Sequence, residues 1–312
     1  SSPYMDWIEA RHPLLEKRLS ANGGKIVSLG ITLNSDKHIL IISGPNAGGK
    51  SVCLKTVGLL QYMLQCGLPI PVSERSTCGI FDDMMMDIGD EQSLENDLST
   101  YSSHLLNMKN MMKQSSDRTL ILIDEFGTGT EPQIGGAIAE ATLERFNRNL
   151  AFGVITTHYT NLKHYAEDAP GIVNGAMLYD RQHLQPLFQL SIGNPGSSFA
   201  IEIARKIGLP EDLIAEAADK VGAEHLDYDK HLQDIVRDKR YWENKRQQIR
   251  QKEKKLEETL EKYEAELSSI DRQRKEITTK AKDEARNLLS DANAKIENTI
   301  RQIKEADAEK VR

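Results

Sequence analysis

One octapeptide constrains this chain more than any other feature. Gly44-Pro45-Asn46-Ala47-Gly48-Gly49-Lys50-Ser51 is a complete G-x-x-x-x-G-K-[ST] string. Its flanks decide how it is read. Upstream, Ile39–Ile42 is a short run of branched apolar residues, the pattern of a strand buried on both faces. Downstream, Leu54, Val57, Leu60 and Leu64 recur at helical spacing and stop near Gly67 and Pro69. A glycine-rich turn between strand and helix suits an anion. Gly44, Gly48 and Gly49 let the backbone curl closely, while the helix contributes free N–H groups and the positive end of its dipole. Lys50 is spaced to reach β- and γ-phosphates and Ser51 to offer a hydroxyl to Mg2+, with Pro45, Asn46, Ala47 and Val52 completing the cradle.

A second apolar run, Leu120–Ile123, stops at Asp124-Glu125. Acids at the end of a strand also serve as helix caps. Behind a phosphate loop, Asp124 is suited to hold Mg2+ through water and Glu125 to take a proton from an attacking water. A third strand, Phe152–Thr156, runs into Thr157-His158, where a neutral imidazole can hydrogen-bond a γ-phosphate. A helix is expected from about Gln133 to Asn147, a return strand at Leu187–Ser191 and a helix over Phe199–Gly208. A further helix opens at Pro210-Glu211-Asp212. This alternation predicts an α/β fold.

The chain changes character near residue 224. Residues 224–312 hold no Gly or Pro and carry 22 Lys+Arg against 21 Asp+Glu, whereas residues 1–223 carry 18 against 26. The division expected is a globular domain over 1–223 and a helical arm over 224–312. Leu256, Leu260, Tyr263, Leu267, Ile270, Ile277, Ala281, Leu288 and Ala292 step alternately by three and four. Arg274 and Glu284 interrupt this heptad seam, and it shifts near Ile296, Ile300 and Ile303. An unbroken helix of this length spans roughly 130 Å at 1.5 Å per residue. Its seam calls for a partner helix, in cis or in trans. Neither half is basic, so nucleic-acid binding would need local patches or further parts. Cys53, Cys66 and Cys78 have no paired spacing, which predicts neither disulfides nor zinc and fits a reducing, cytoplasmic setting. No apolar run is long enough for a membrane span, and Ser1-Ser2-Pro3 without an initiator Met predicts a segment of a longer protein.

Taken together, these stretches resemble the ATPase domain of the MutS family. The resemblance lies in Gly44–Ser51, in Asp124-Glu125-Phe126-Gly127-Thr128-Gly129-Thr130, in Thr157-His158-Tyr159 and in the opening Arg11-His12-Pro13. It implies an ABC-type P-loop fold of three layers with a mixed, mainly parallel sheet, Mg2+-dependent ATP hydrolysis, and Asn46 near the γ-phosphate. It also implies a homodimer with composite sites, in which Ser99 of Ser99-Thr100-Tyr101 and the Gly127–Thr130 loop serve the other subunit's ATP. Phe188 is the aromatic that the resemblance places on adenine, while the usual aromatic before the phosphate loop is replaced by Ile26 or Val27. Gly89-Asp90-Glu91-Gln92-Ser93, the stretch STYSSH from Ser99 to His104 and the arm are most similar to the second bacterial type, MutS-two. That type implies action on branched DNA or stalled ribosomes, with a nuclease-like Smr domain beyond the arm in full-length members.

Two other features have plainer explanations. Met84-Met85-Met86 and Met111-Met112 read as packing residues, and Tyr241-Trp242, amid Lys and Arg, as part of a helix–helix seam. Two other functions fit parts of the sequence: a coiled-coil scaffold with a relic nucleotide site, and a small-molecule kinase. Intact Lys50, Ser51, Asp124 and Glu125 speak against decay. A kinase would need an arginine-rich lid, and none is visible.

Overall fold

The structure is a computed structural model that describes residues 4–89, 100–180 and 183–310. The chain opens with β1 (Met5–Ala10), α1 (Pro13–Ala21), β2 (Leu29–Leu33) and β3 (Lys37–Ser43). After the phosphate loop come α2 (Lys50–Gln65), β4 (Thr77–Cys78), β5 (Asp83–Asp87) and α3 (Thr100–Gln114). The chain continues through β6 (Thr119–Ile123), α4 (Pro132–Arg148), β7 (Phe152–Thr156), α5 (Thr160–Asp168) and β8 (Gly171–Asp180). It ends with β9 (Gln185–Ile192), α6 (Ala200–Ile207), α7 (Glu211–Val221) and α8 (Ala223–Lys310).

The main sheet has the order β5-β6-β7-β3-β8-β9; every pair is parallel except the antiparallel β8–β9 edge. Strand periodicity explains the layers. Leu40, Ile42, Leu120, Leu122, Phe152 and Val154 point to one face, where they meet Leu54, Val57 and Leu60 of α2. Met5, Trp7, Ile31 and Leu33 of the small antiparallel β2-β1-β4 sheet join them there. The intervening residues Ile39, Ile41, Ile121, Ile123 and Ile155 point the other way, onto Met108 and Met111 of α3, Leu143 and Phe146 of α4, and Leu162 of α5. Two buried faces on one sheet require apolar runs without alternation, as found in β3, β6 and β7. Each fully buried aliphatic side chain contributes about 1.5–3 kcal/mol.

The arrangement is the α/β, mainly parallel, three-layer fold expected. The methionine run forms β5, with Met84 and Met85 packed against opposite cores and Met86 exposed. The chain divides into compact units at Arg240/Tyr241, beyond the boundary expected at 223/224. The physical reason is that the first turns of α8 are built into the body: Leu232 and Gln233 are buried, and Tyr228 stacks on His164 with ring centroids 4.5 Å apart. The second unit, from Tyr241 onward, is a single helix whose side chains are exposed throughout 241–302. Tyr241 and Trp242 contact each other edge to face, with Lys245 Nζ 5.8 Å from the Tyr241 ring. Among the described residues, no helix is long and apolar enough to cross a membrane.

Candidate functional site: a phosphate loop at the sheet's carboxyl edge

The chain leaves β3 in the middle of the sheet, with β7 on one side and β8 on the other, so the loop after β3 sits where the strand order reverses. Such switch points open a crevice at the carboxyl ends of parallel strands. Ile42 is level with Thr156 of β7 and Gly175 of β8, and Ile123 of β6 with Ile155. The ends of β6, β7 and β3 therefore line up along one edge.

Asn46–Gly48 forms a short 3-10 turn, and Gly49 enters α2 at φ 94°, a left-handed conformation that favours glycine. A Cβ on Gly49 would also stand 3.1 Å from the Phe188 ring. Lys50 is 3% exposed, and its Nζ donates to Gly44 O at 2.9 Å, Pro45 O at 3.2 Å and Asn46 Oδ1 at 3.3 Å. Burial pulls its pKa down to about 8, opposed first by the charge of Glu125 and then by that of Asp124. Both acids thus act on the ammonium at the loop. Ser51 and Val52 follow in the first turn of α2.

Asp124 is one strand away from the phosphate loop, and Thr156 bridges the gap. Thr156 Oγ1 donates to Asp124 Oδ1 at 2.5 Å and accepts from Glu125 N at 2.8 Å. Glu125 takes φ 52°, a costly left-handed turn that brings the exposed side chain off the strand line. His158 follows β7 directly. Desolvation, reinforced by the Lys50 and Lys163 ammonium groups and opposed by Asp124, holds its pKa at about 4, so the ring is neutral at pH 7.

Beside Gly49 an apolar cavity of about 320 Å3 is lined by Ile26, Val27, Val52, Cys53, Met177 and Phe188, among others. Phe188 reaches it through an irregularity in β9: Met177 pairs with Leu190 but Tyr179 with Pro186. The extra residues put Phe188 at φ 54° and leave it 52% exposed. The structure thus brings Gly44–Val52, Asp124, Glu125 and His158 to one edge, with Phe188 and Ile26 around the adjoining cavity. Ser99 and Asp90–Ser93 lie outside the described residues.

The loop after Glu125 is held from several sides. Tyr159 Oη donates to Gly127 O at 2.9 Å, Thr128 Oγ1 donates to Glu125 O at 2.8 Å, and the Glu131 carboxylate caps α4 by accepting from Gln133 N and Ile134 N.

Sequence reasoning gave no role to several polar groups here. Asp87, at the end of β5, accepts from Asn107 Nδ2 at 2.9 Å and pairs with His104 Nδ1 at 2.6 Å, while its carbonyl accepts from Asp124 N at 2.9 Å. This ties α3 to the acid-bearing strand. Lys163 is 6% exposed; burial lowers its pKa, against the charge of Asp229. Its place one residue after Leu162, on the buried face of α5, was the available signal.

Comparison with known proteins agrees with this geometry. Residues 40–224 match the family described as MutS domain V. Proteins named Endonuclease MutS2 are similar over most of the chain: 38% identical over 96% of it in Pediococcus pentosaceus, covering 37% of that relative, and 39% over 98% in Pelotomaculum thermopropionicum, covering 38%. In Bacillus velezensis the figure is 43% over 74% of the chain, covering 29% of the relative. The chain thus matches between 29% and 38% of the length of these curated relatives. Since domain V alone takes in more than half of these residues and its phosphate loop stands on the sheet as that fold requires, the chain belongs to the MutS family.

Proposed function

We propose that the chain binds and hydrolyses ATP as the dimeric switch module of a longer protein acting on nucleic acid. One observation carries this reading: a buried ammonium, two carboxylates and a neutral imidazole act on one another where β3, β6 and β7 end along one edge. Lys50 and the N–H groups opening α2 hold the β- and γ-phosphates. Ser51 and Asp124 are hard oxygen donors, and a site of one hydroxyl, one carboxylate and substrate phosphates suits Mg2+, which retains several waters. When bound, the ion neutralises phosphate charge. Glu125 takes the proton of the attacking water, and His158, being neutral, donates its ring N–H to a γ-phosphate oxygen without adding charge. Phe188 and Ile26 enclose adenine. Two chains meet head to tail, each presenting Ser99 and the Gly127–Thr130 loop to the other's nucleotide, so that ATP joins subunits and hydrolysis releases them. The relatives are named endonucleases, in line with a nucleic-acid target for the whole protein, and the resemblance narrows that target to branched DNA or a stalled ribosome.

The test is phosphate release and nucleotide binding at high protein concentration. Glu125→Gln should retain Mg-ATP while turnover falls about 10²–10⁴-fold, the usual loss of a general base. Lys50→Ala should abolish binding. Unchanged phosphate release in Lys50→Ala would remove the reading. Dimerisation by sedimentation that ignores ATP would favour the scaffold instead.

A further inference from the structure

Between β9 and α6, the loop 193–199 reaches back against the phosphate loop. Gly196 packs so tightly that a Cβ there would stand 2.7 Å from Ser43 O and 3.2 Å from Gly44 Cα. Its N–H donates to Ser43 Oγ at 2.7 Å, and its carbonyl accepts from Lys163 Nζ at 3.0 Å. Ser43 immediately precedes Gly44, so these bonds hold the entrance of the phosphate loop.

The next residue joins a second set of bonds. Ser197, 2% exposed, donates through Oγ to Asp229 Oδ2 at 2.6 Å and accepts from Gln233 Nε2 at 3.2 Å and Phe199 N at 3.1 Å. Asp229 Oδ1 also accepts from Ser198 N at 3.3 Å. Gln233 Nε2 further donates to Glu202 Oε1 at 2.9 Å. Asp229 and Gln233 stand one turn apart on α8, within the part of that helix that belongs to the body. Buried charge-assisted bonds of this kind are stiff and lose much when one partner is removed. The described chain of contacts runs unbroken from Gly44 through Ser43, Gly196 and Ser197 to α8.

We infer that Asp229 is a positioning residue for the nucleotide site: through Ser197 and Gly196 it sets the start of the phosphate loop and couples that loop to the first turns of α8. The inference rests on the ATP-binding reading above. Coupling is reciprocal, so nucleotide bound at the loop must in turn order the Asp229 turn. A merely structural role would not produce that response.

The experiment uses the 312-residue chain with Mg-ADP as probe, reading affinity, steady-state phosphate release with ATP, melting and backbone amide exchange. In the wild type, Mg-ADP should slow exchange over 229–240. In Asp229→Ala the affinity should weaken about tenfold, a KM effect with kcat within about twofold, and the exchange response should vanish; a tenfold change is the scale of one well-made bond. Asp229→Asn, which keeps an acceptor, should recover most of both. Where Asp229→Ala fails to fold, Gln233→Leu removes the neighbouring link and should weaken binding about threefold with a reduced exchange response. Wild-type affinity and response in the variant that folds overturn the inference alone. A wild-type chain that binds no Mg-ADP overturns the ATP-binding reading and takes this inference with it.

Discussion

Leucines separate the two units of this molecule. In the body, Leu54, Leu60, Leu120, Leu122 and Leu143 are fully buried, whereas on the arm Leu256, Leu260, Leu267 and Leu288 are 53–71% exposed. The side chain is the same and its surroundings differ. The body surrounds each leucine with strands and helices distant in sequence, so its apolar pattern is satisfied inside one chain. The arm repeats leucine at heptad spacing, but a lone helix can cover its seam from no side. Apolar periodicity is therefore satisfied by packing in the body, whereas on the arm the same periodicity lies exposed among the described residues.

One matched pair of substitutions tests this contrast, with the largest effect expected. Leu122→Ala removes buried methyls that pack against Gly58 of α2 and should cost about 3 kcal/mol in urea unfolding. Leu267→Ala in dilute protein should change stability by less than about 0.5 kcal/mol, since both residues form helices well and little burial is lost. A comparable cost at both sites would show that the arm's seam is already covered.

The second contrast concerns the backbone. Residues 224–312 contain no glycine or proline, while the site edge depends on glycine. Gly127 has φ 89°, and a Cβ there would meet the Tyr159 ring at 2.7 Å and Ala139 Cβ at 2.9 Å. Gly127→Ala should cost about 2 kcal/mol and lower phosphate release, because the loop that follows Glu125 must shift. Ser268→Ala, on the exposed arm, should be neutral or slightly stabilising in the same thermal melt. An unaffected Gly127→Ala would mean the edge is looser than its packing indicates.

How far the sequence disclosed this structure follows from the same contrast. Strands buried on two faces, β3, β6 and β7, were legible because nothing but apolar residues fits there. The helices after Lys50 and before Asn149 were legible from their spacing, and the site's acids and imidazole from their position at strand ends. The small β2-β1-β4 sheet was not anticipated, since MDWIEA and LGITL are short and their pairing depends on residues far apart. The same holds for β8, whose glycine and asparagine break an otherwise apolar run. Lys163 leaves only its place on the buried face of α5, and the Asp229 bonds leave no periodic trace; their partners are fixed by a loop meeting helices in space, and Asp229 lies in the charged stretch read as the start of the arm.

The smallest expected effect concerns charge. On the arm, Arg272 and Glu276 approach to 3.6 Å in water, a pair worth a few tenths of a kcal/mol at most, and Glu276→Gln should leave the melting curve unchanged. At the body's edge a charge costs more. With the His158 pKa held near 4 by desolvation and then by Lys50, the folded chain binds fewer protons than the unfolded one between about pH 4 and the ordinary 6.5. Stability from the neutral ring is therefore present in full above 6.5 and lost as pH falls toward 4. An imidazole proton shift followed by NMR should give a midpoint about 4 for His158, and phosphate release should show no step at 6.5 from this residue. Replacing Lys50 by Met removes the second cause, leaves desolvation, and should move that midpoint part of the way back up. A midpoint of 6.5 in the intact chain would erase the contrast, because the edge of the body would then treat a charge as the solvent around the arm does.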